Sequence, residues 1–380
     1  MAKNTKPMGL RTWIEIDRKA ISHNVDVFKK LISPKVKLMA VVKSNAYGHG
    51  LIDFSREMEK LGADFIGVDS MTEARALRRE GIVLPILVLG YTMPELFAEA
   101  VENDISLTVS TFETLDAISK TKLTKPLKIH IKVDTGMHRQ GFMLNDLPKV
   151  IKNFQFSIFN FQIEGLYTHF ASAKNPAFPK DTKEQMAEFL KWIFAFRKAG
   201  LHPIIHASAT AGAMLFPESH FDMVRIGIGL YGLWPAPEVR EYLKEKITLK
   251  PALVWKSFIT EIKRLPAGSR IGYDLTEELW EDSTIGIVPI GYWHGYPRAL
   301  SSIGRVLVRG KECRVLGRVS MDMLIVDISG VLKPKVGDEV VVMGGSEDSP
   351  VSAMGLARAI DASWYEVATR LNPLIKRIYR

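Results

Sequence analysis

Cysteine is almost missing: Cys313 is the only one in 380 residues. A single thiol cannot close an internal disulfide framework or build a cysteine-based zinc site, and the scarcity fits a reducing compartment. Long apolar runs are missing too. The most apolar stretch, residues 82–89, is less than half of the roughly 18 residues that a membrane-spanning helix requires, and Gly90 and Pro94 break any extension of it. Residues 1–11 are polar and lack the apolar core of a secretory signal. No Gly-x-Gly-x-x-Gly follows an early strand, and no low-complexity linker divides the chain. A cytoplasmic location without a membrane partner is expected.

With 47% hydrophobic and 24% charged residues the chain holds ample apolar material for more than one core, which excludes disorder. Its length argues for two domains, or a barrel with an appendage. Lysine and arginine number 51 against 42 acidic residues, a formal charge of +9. Yet the basic residues are dispersed, and the densest run, 75–79, is bounded by Glu73 and Glu80 on an amphipathic pattern. A solvated helix face explains that run better than a nucleic-acid patch, which would cluster on one face. The basicity then suits an anionic cofactor or substrate.

From residue 36 onward a short β-branched run is repeatedly followed by a polar helical pattern. There are eight such runs: 36–42, 65–68, 86–89, 105–109, 127–133, 163–168, 203–206 and 222–226. Eight strand-helix units with right-handed crossovers predict an α/β fold, a (β/α)8 barrel of the TIM type, spanning 10–240; an open doubly wound sheet is the alternative. After Pro237 the texture turns β-rich, with runs at 253–262, 284–290, 306–308, 323–328 and 339–343. A mainly antiparallel β domain over 241–380 is expected, joined by an N-terminal strand within 1–17.

Active sites of such barrels lie at the C-terminal ends of the strands. The first strand ends in Val42-Lys43-Ser44-Asn45-Ala46-Tyr47-Gly48-His49-Gly50. A lysine closing an apolar strand is partly desolvated, which favours the neutral amine and Schiff-base chemistry; a lysine reaching out of the barrel mouth is the plainer alternative. Lys132 and Arg139 follow the fifth strand, His169 the sixth and Arg225 closes the eighth. Cations converging on one rim repel each other unless anions sit among them. A phosphate and a substrate carboxylate would supply that charge, and Asp69 and Asp134 could supply part of it as structural salt bridges. Ser208 and Thr210 after the seventh strand, and Gly227 and Gly229 after the eighth, stand where barrels often bind phosphate.

These segments resemble the alanine racemase family of fold-type III pyridoxal-phosphate enzymes. The likeness continues through Trp13-Ile14-Glu15-Ile16-Asp17, residues 132–141, Thr168-His169-Phe170, 224–232, Gly272-Tyr273, Gly291-Tyr292, 317–322 and Tyr365-Glu366, nearly the whole chain. The resemblance implies pyridoxal 5'-phosphate held covalently by Lys43, which also serves as one base, with Tyr273 as the opposite base. Tyr47, Tyr365, Gly227, Ile228 and a hydroxyl from Ser208 or Thr210 would contact the cofactor phosphate. Arg225 would face the ring nitrogen, and His169 and Arg139 would join the cofactor and tyrosine network. Lys132 matches a position that is often carbamylated, where it would orient Arg139. Met321 and Tyr292 would lie at the small amino-acid substrate. The resemblance further implies a head-to-tail homodimer with shared active sites, and D-alanine supply for peptidoglycan.

Two bases suit the chemistry. Inverting an α-carbon removes a proton from one face and delivers another to the opposite face, so catalytic groups must flank the carbon. Three departures from the family pattern stand out. The usual Asn-Ser pair is absent from the strand-seven loop, where Thr210 aligns with the serine. His294 replaces the usual aspartate after Tyr292, which bears on the charge around the substrate. Asp274-Leu275 after Tyr273 is also uncommon. A serine or broad-spectrum amino-acid racemase on the same scaffold is therefore the alternative.

Overall fold

The computed structural model describes residues 9–156 and 160–380. Of the segment 1–17 assigned to the β domain, residues 1–8 lie outside the described residues. The first strand is β1 (Trp13–Ile16). The next eight are β2 (Lys37–Val41), β3 (Phe65–Val68), β4 (Ile86–Val88), β5 (Ile105–Val109), β6 (Leu127–Lys132), β7 (Phe161–Tyr167), β8 (Ile204–His206) and β9 (Met223–Ile226). Strands β2 to β9 form one parallel sheet in the order β8-β7-β6-β5-β4-β3-β2-β9, a (β/α)8 barrel. Strand β8 has only three residues, so the last seam is closed by single contacts rather than a ladder. There Asp222 N–H donates to Ile205 O (3.0 Å), Asp222 Oδ2 accepts from Ile205 N–H, and Arg225 N–H donates to Ser208 O (2.9 Å).

Strands β3 and β5 are buried along their whole length on both faces, as strands of a parallel sheet covered by helices are. Met39, Phe65, Leu87 and Met223 from four of them form one apolar cluster. The crossover helix Lys180–Lys198 turns Gln185, Phe189, Trp192, Ile193 and Phe196 inward at helical spacing. Ser70 and Thr111 cap the helices Met71–Arg79 and Phe112–Lys120 by accepting the N–H three residues on. The basic run 75–79 lies on the first of these. Arg75 holds Glu99 through two hydrogen bonds, and Arg78 donates to the carbonyls of Ile82, Leu84 and Asn103.

A second compact unit comprises Pro251–Arg380 with the described chain up to Lys19 and with Tyr47–Gly50. Its strands are β1, β10 (Leu253–Phe258), β11 (Glu261–Leu265), β12 (Arg270–Ile271), β13 (Glu277–Glu278), β14 (Ser283–Val288), β15 (Arg305–Val308), β16 (Lys311–Arg314), β17 (Leu324–Asp327), β18 (Glu339–Met343) and β19 (Lys376–Tyr379). They form sheets in the orders β16-β15-β18-β10-β1-β19, β11-β14-β17 and β12-β13. Among the described residues only β1 and β19 pair in parallel there. The run 253–262 proves to be two strands in different sheets. Ile259 N–H donates to Asp338 O and Thr260 N–H to Ile287 O, which hands the chain from one sheet to the next. Tyr47–Gly50 groups with this unit because Arg377 Nε donates to Gly48 O (3.1 Å) and the Tyr379 hydroxyl to His49 O (3.0 Å). Among the described residues no helix is long and apolar enough to cross a membrane.

Candidate active site

Lys43 directly follows Val42 at the exit of β2. The desolvated setting expected for its amine is not what is seen. The side chain is 38% exposed and its Nζ lies 3.0 Å from Oδ1 of Asp69, at the exit of β3. Beyond it the backbone does something that the sequence pattern did not announce. Ser44, Asn45, Ala46 and Tyr47 all have φ between 50° and 56°, a left-handed turn built from residues with a Cβ. Such backbone costs roughly 1–2 kcal/mol per residue. It is retained by specific contacts: Ser44 N–H donates to Glu73 Oε1 (2.6 Å), Ala46 N–H to Val42 O (2.8 Å) and Leu51 N–H to Asn45 Oδ1 (2.9 Å). Strain that the surroundings hold in place marks a functional segment.

The cationic rim of the barrel does converge. Burial holds the His169 imidazole well below its usual range, and the charges of Arg225, Arg139, Lys132 and Lys43 push it further the same way. Arg225 is itself buried, which pulls its guanidinium down to about 10, still a cation at neutral pH. It donates to Thr168 O and Ala207 O (2.8 Å each), to His206 Nδ1 (2.9 Å) and to His169 Nδ1 (3.1 Å). Lys132 donates to Gln140 Oε1 (2.9 Å). Burial first, then Arg139 and Arg225, bring its amine down to about 8. Asp69 meets Lys43, but Asp134 is occupied otherwise, since its Oδ1 accepts the N–H groups of Gly136, Met137 and His138 and so shapes the loop after β6.

The two candidate hydroxyls separate clearly. Ser208 is buried with its Oγ 2.5 Å from Ser219 Oγ. Thr210 opens the helix Thr210–Leu215, and its Oγ1 accepts from the N–H groups of Gly227 (3.3 Å) and Gly229 (3.4 Å). Thr210, Gly227 and Ile228 thus share one corner at the exits of β8 and β9. Gly229 serves packing rather than close approach to an anion, because a Cβ there would run into the Phe28 ring.

In the β unit, the rings of Tyr47 and Tyr365 stand 6.2 Å apart. Tyr365 lies on the helix Trp364–Thr369, whose N-terminus Ser363 caps, and burial raises its phenol above the usual range. Gly48 is required beside that helix, since a Cβ would collide with Ala368 O. Tyr273 is 68% exposed and follows Gly272 (φ 73°). Asp274 and Leu275 after it are left-handed, with Asp274 paired to Arg318 at 2.8 Å. Tyr292 and Met321 are brought together: Tyr292 N–H donates to Ser320 O and Trp293 N–H to Met321 O, both 3.0 Å, and Gly291 leaves no room for a Cβ against the same carbonyls. His294 turns inward, its Nδ1 accepting from Gly291 N–H (3.2 Å). Burial lowers its pKa against the pull of Asp322, so this substitution organises the turn as a neutral ring.

Sequence reasoning missed Gln140 and Tyr167 beside Lys132, and His206 beside Arg225 with His130 and Glu164 behind it. Gln140 lies in the loop after β6; the signal of the other four was a polar or aromatic residue at an inward position of a barrel strand, which periodicity alone reads as a solvent face.

Residues 16–235 match the family model described as alanine racemase, N-terminal domain, and residues 252–379 the one described as alanine racemase, C-terminal domain. The chain is 40% identical to an alanine racemase of Methanococcus maripaludis, over 97% of this chain and 98% of that protein. It is 39% identical to an alanine racemase of Symbiobacterium thermophilum, over 98% of each. Among solved structures it resembles alanine racemase of Clostridium difficile (TM-score 0.92, 34% identity, 98% and 97% of the two chains). It also resembles that of Bacillus anthracis with bound L-Ala-P (TM-score 0.92, 34% identity, 99% and 96%).

Proposed function

The chain belongs to the alanine racemase family and is an amino-acid racemase acting on alanine, and we propose that it inverts the α-carbon between Lys43 and Tyr273 with pyridoxal 5'-phosphate as its cofactor. The observation that carries this reading is the cluster of Lys43, Lys132, Arg139 and Arg225 around one half-buried histidine, His169, which Arg225 contacts at 3.1 Å. Four cations with Asp69 as a close carboxylate partner form a site that is short of negative charge. A phosphorylated ring and a substrate carboxylate supply that charge, and the donor set fits them. Thr210 and the N–H groups of Gly227 and Ile228 would hold the phosphate together with the Tyr47 and Tyr365 hydroxyls. Ser208 is the weaker candidate because Ser219 already holds its hydroxyl.

When bound, the cofactor supplies an electron sink for the pair left on the α-carbon by proton removal. The residues do the rest. Lys43 holds the cofactor, then as a free amine takes or returns the proton on one face, while the Tyr273 phenol does so on the other. Arg225 can only donate, so it would keep a facing ring nitrogen unprotonated. His169 accepts from Arg225 and so aims the guanidinium. Lys132, with an amine down to about 8, presents enough neutral nitrogen near neutral pH to add carbon dioxide. The addition releases one amine proton to solvent, and the carbamate that results is an anion that would orient Arg139. Tyr292 and the Met321 backbone would take the substrate.

The same reading includes a head-to-tail homodimer in which Tyr273 serves the partner's site. Tyr273, Leu275, Trp280, Trp293, Met321 and Met323 are all large, apolar and exposed in the β unit, which is how an association surface looks in a lone chain. It also includes a cytoplasmic location, supported by the free buried thiol of Cys313, and D-alanine supply for peptidoglycan. A chiral product assay on L-alanine with pyridoxal phosphate added tests the core of it. D-alanine should accumulate to near equality with L-alanine, and an unchanged substrate would refute the reading.

A further inference from the structure

The barrel carries a row of polar side chains drawn from five neighbouring strands: Ser106 on β5, His130 on β6, Glu164 on β7, His206 on β8 and Arg225 next to it on β9. Four of them bond in a line. Arg225 lies 2.9 Å from His206 Nδ1, His206 Nε2 lies 2.9 Å from His130 Nδ1, and His130 Nε2 lies 3.0 Å from Glu164 Oε2. The Ser106 hydroxyl donates to the same carboxylate oxygen. Both imidazoles are fully buried.

The two ends fix the direction of every bond between them. A guanidinium has only donors, and an ionised carboxylate only acceptors. Arg225 therefore donates to His206 Nδ1, which leaves the one proton of a neutral His206 on Nε2. That proton points at His130 Nδ1, so the His130 proton sits on Nε2 and faces Glu164. A second proton on either ring would set two N–H groups against each other. Burial works to raise the Glu164 carboxyl, yet the hydrogen bonds from His130 and Ser106 bring it below its usual range, which keeps the acceptor end ionised.

The path is built into the backbone. The β6–β7 ladder pairs Ile129 with Ile163 but His130 with Gly165, so Glu164 is the extra residue of a bulge. Bulges re-aim side chains. Gly165 is the notch through which His130 reaches past β7 to β8, because a Cβ there would land on the His130 ring. Tyr167 then stacks flat on His206 at 4.7 Å and 6°, with its hydroxyl 2.9 Å from Thr108 Oγ1. The charged groups nearest this line are Arg225 at one end, with His169 and Lys132 beyond it, and Lys128 beside Glu164.

We propose that Glu164, His130 and His206 form a positioning relay that carries the carboxylate's charge through two aligned neutral imidazoles to Arg225. Among the described residues the hydrogen-bond partners of Arg225 are two carbonyls and two ring nitrogens, with no carboxylate. The relay supplies the missing counter-charge at a distance and strengthens His206 Nδ1 as an acceptor, since each bond in such a chain polarises the next. Its consequence for turnover rests on the reading that Arg225 faces the cofactor's ring nitrogen.

The test is 15N NMR of the histidine-labelled full-length protein, with and without pyridoxal phosphate, from about pH 5 to 9. In its neutral form each ring should carry its proton on Nε2. Glu164→Gln keeps the shape and removes the charge. It should shift the His206 Nδ1 signal and lower kcat about tenfold with KM little changed, as expected for an outer group that orients a contacting one. Should that variant fail to fold, Ser106→Ala removes one donor from the carboxylate and should give the same shift in smaller measure. A proton on Nδ1 of either neutral ring, or an unshifted His206 signal in Glu164→Gln, overturns the relay. A shifted signal with unchanged kcat overturns its part in turnover. In that case Arg225→Lys decides where the fault lies: an unaltered absorbance of the bound cofactor would place it in the reading of Arg225.

Discussion

Lys43 Nζ sits 3.0 Å from Oδ1 of Asp69, so the amine that must act as a nucleophile waits as half of an ion pair. Both partners are well exposed, which limits the pair to about 1 kcal/mol or less. Asp69→Asn should accordingly accelerate cofactor loading, by no more than about fivefold near neutral pH. Added salt weakens the attraction of the cationic site for the phosphorylated cofactor in both proteins, but by loosening the Lys43–Asp69 pair it should slow the wild-type protein less than the variant. Stopped-flow absorbance after mixing with pyridoxal phosphate measures both, and equal salt dependence in the two proteins would show that the pair does not restrain Lys43.

Thr210 and Ser208 should fail in different ways. Thr210→Val keeps the side-chain shape and removes the hydroxyl, so cofactor affinity should fall by about 1–2 kcal/mol, roughly 5- to 30-fold, and the lost acceptor for the Gly227 and Gly229 N–H groups should cost about 1 kcal/mol of stability as well. Ser208→Ala leaves the buried Ser219 hydroxyl without its 2.5 Å partner. It should cost about 1 kcal/mol of stability and leave affinity alone. Equilibrium dialysis against pyridoxal phosphate and thermal melts of the cofactor-free protein separate the two effects. The reverse pattern would move the phosphate to Ser208.

Much of this site was legible because strand exits can be found from hydrophobic runs. Phe65–Val68, Ile105–Val109 and Glu339–Met343 coincide with the runs read from sequence, the run 253–262 splits into β10 and β11, and the others differ by a few residues at their ends. Lys43, Arg225 and His169 follow from those ends. What escaped was decided by tertiary partners. β16 and β19 are short and rich in charged residues, and they exist because β15 and β1 offer them edges. The left-handed turn after Lys43 has no glycine until Gly48, so its contacts to Glu73, Val42 and Leu51 rather than its composition impose it. Glu164 and His130 read as the polar face of a strand, and only barrel closure puts that face inside.

Lys132 gives a pH dependence with a definite sign. Its amine is down to about 8 in the folded protein, against an ordinary lysine near 10.5. Only the neutral amine adds carbon dioxide, so carbamate formation should rise as pH climbs through about 8 and be poor below about pH 6. Between about 8 and 10.5 the unfolded chain binds the extra proton, so stability should rise with pH across that window. Lys132→Met should flatten the rise. Carbamate is read by 13C NMR with labelled bicarbonate. A Lys132 that stays unlabelled at about pH 9 would remove the carbamate from the proposed orientation of Arg139.

Tyr273 stands exposed in the β unit, where it can act only if another chain brings a Lys43 to it or if its own chain does, and mixing variants distinguishes these. Tyr273→Phe removes the proton carrier and nearly conserves volume, so cofactor absorbance should survive while kcat falls by about 10²- to 10⁴-fold. Lys43→Ala should lose both. In a head-to-tail dimer each site takes Lys43 from one subunit and Tyr273 from the other. A mixed dimer of the two variants then contains one site with both residues intact and one with neither. Random exchange from equal amounts makes half of the dimers mixed, so activity should recover to about a quarter of wild type per chain. If each site were built within a single chain, mixing would restore nothing, because every Lys43 would sit with a phenylalanine and every Tyr273 with an alanine. Exchange is confirmed separately by mass spectrometry of the intact dimers. Mixed dimers without recovered turnover would refute the shared site while leaving the assignment of the two bases open to the single-variant kinetics.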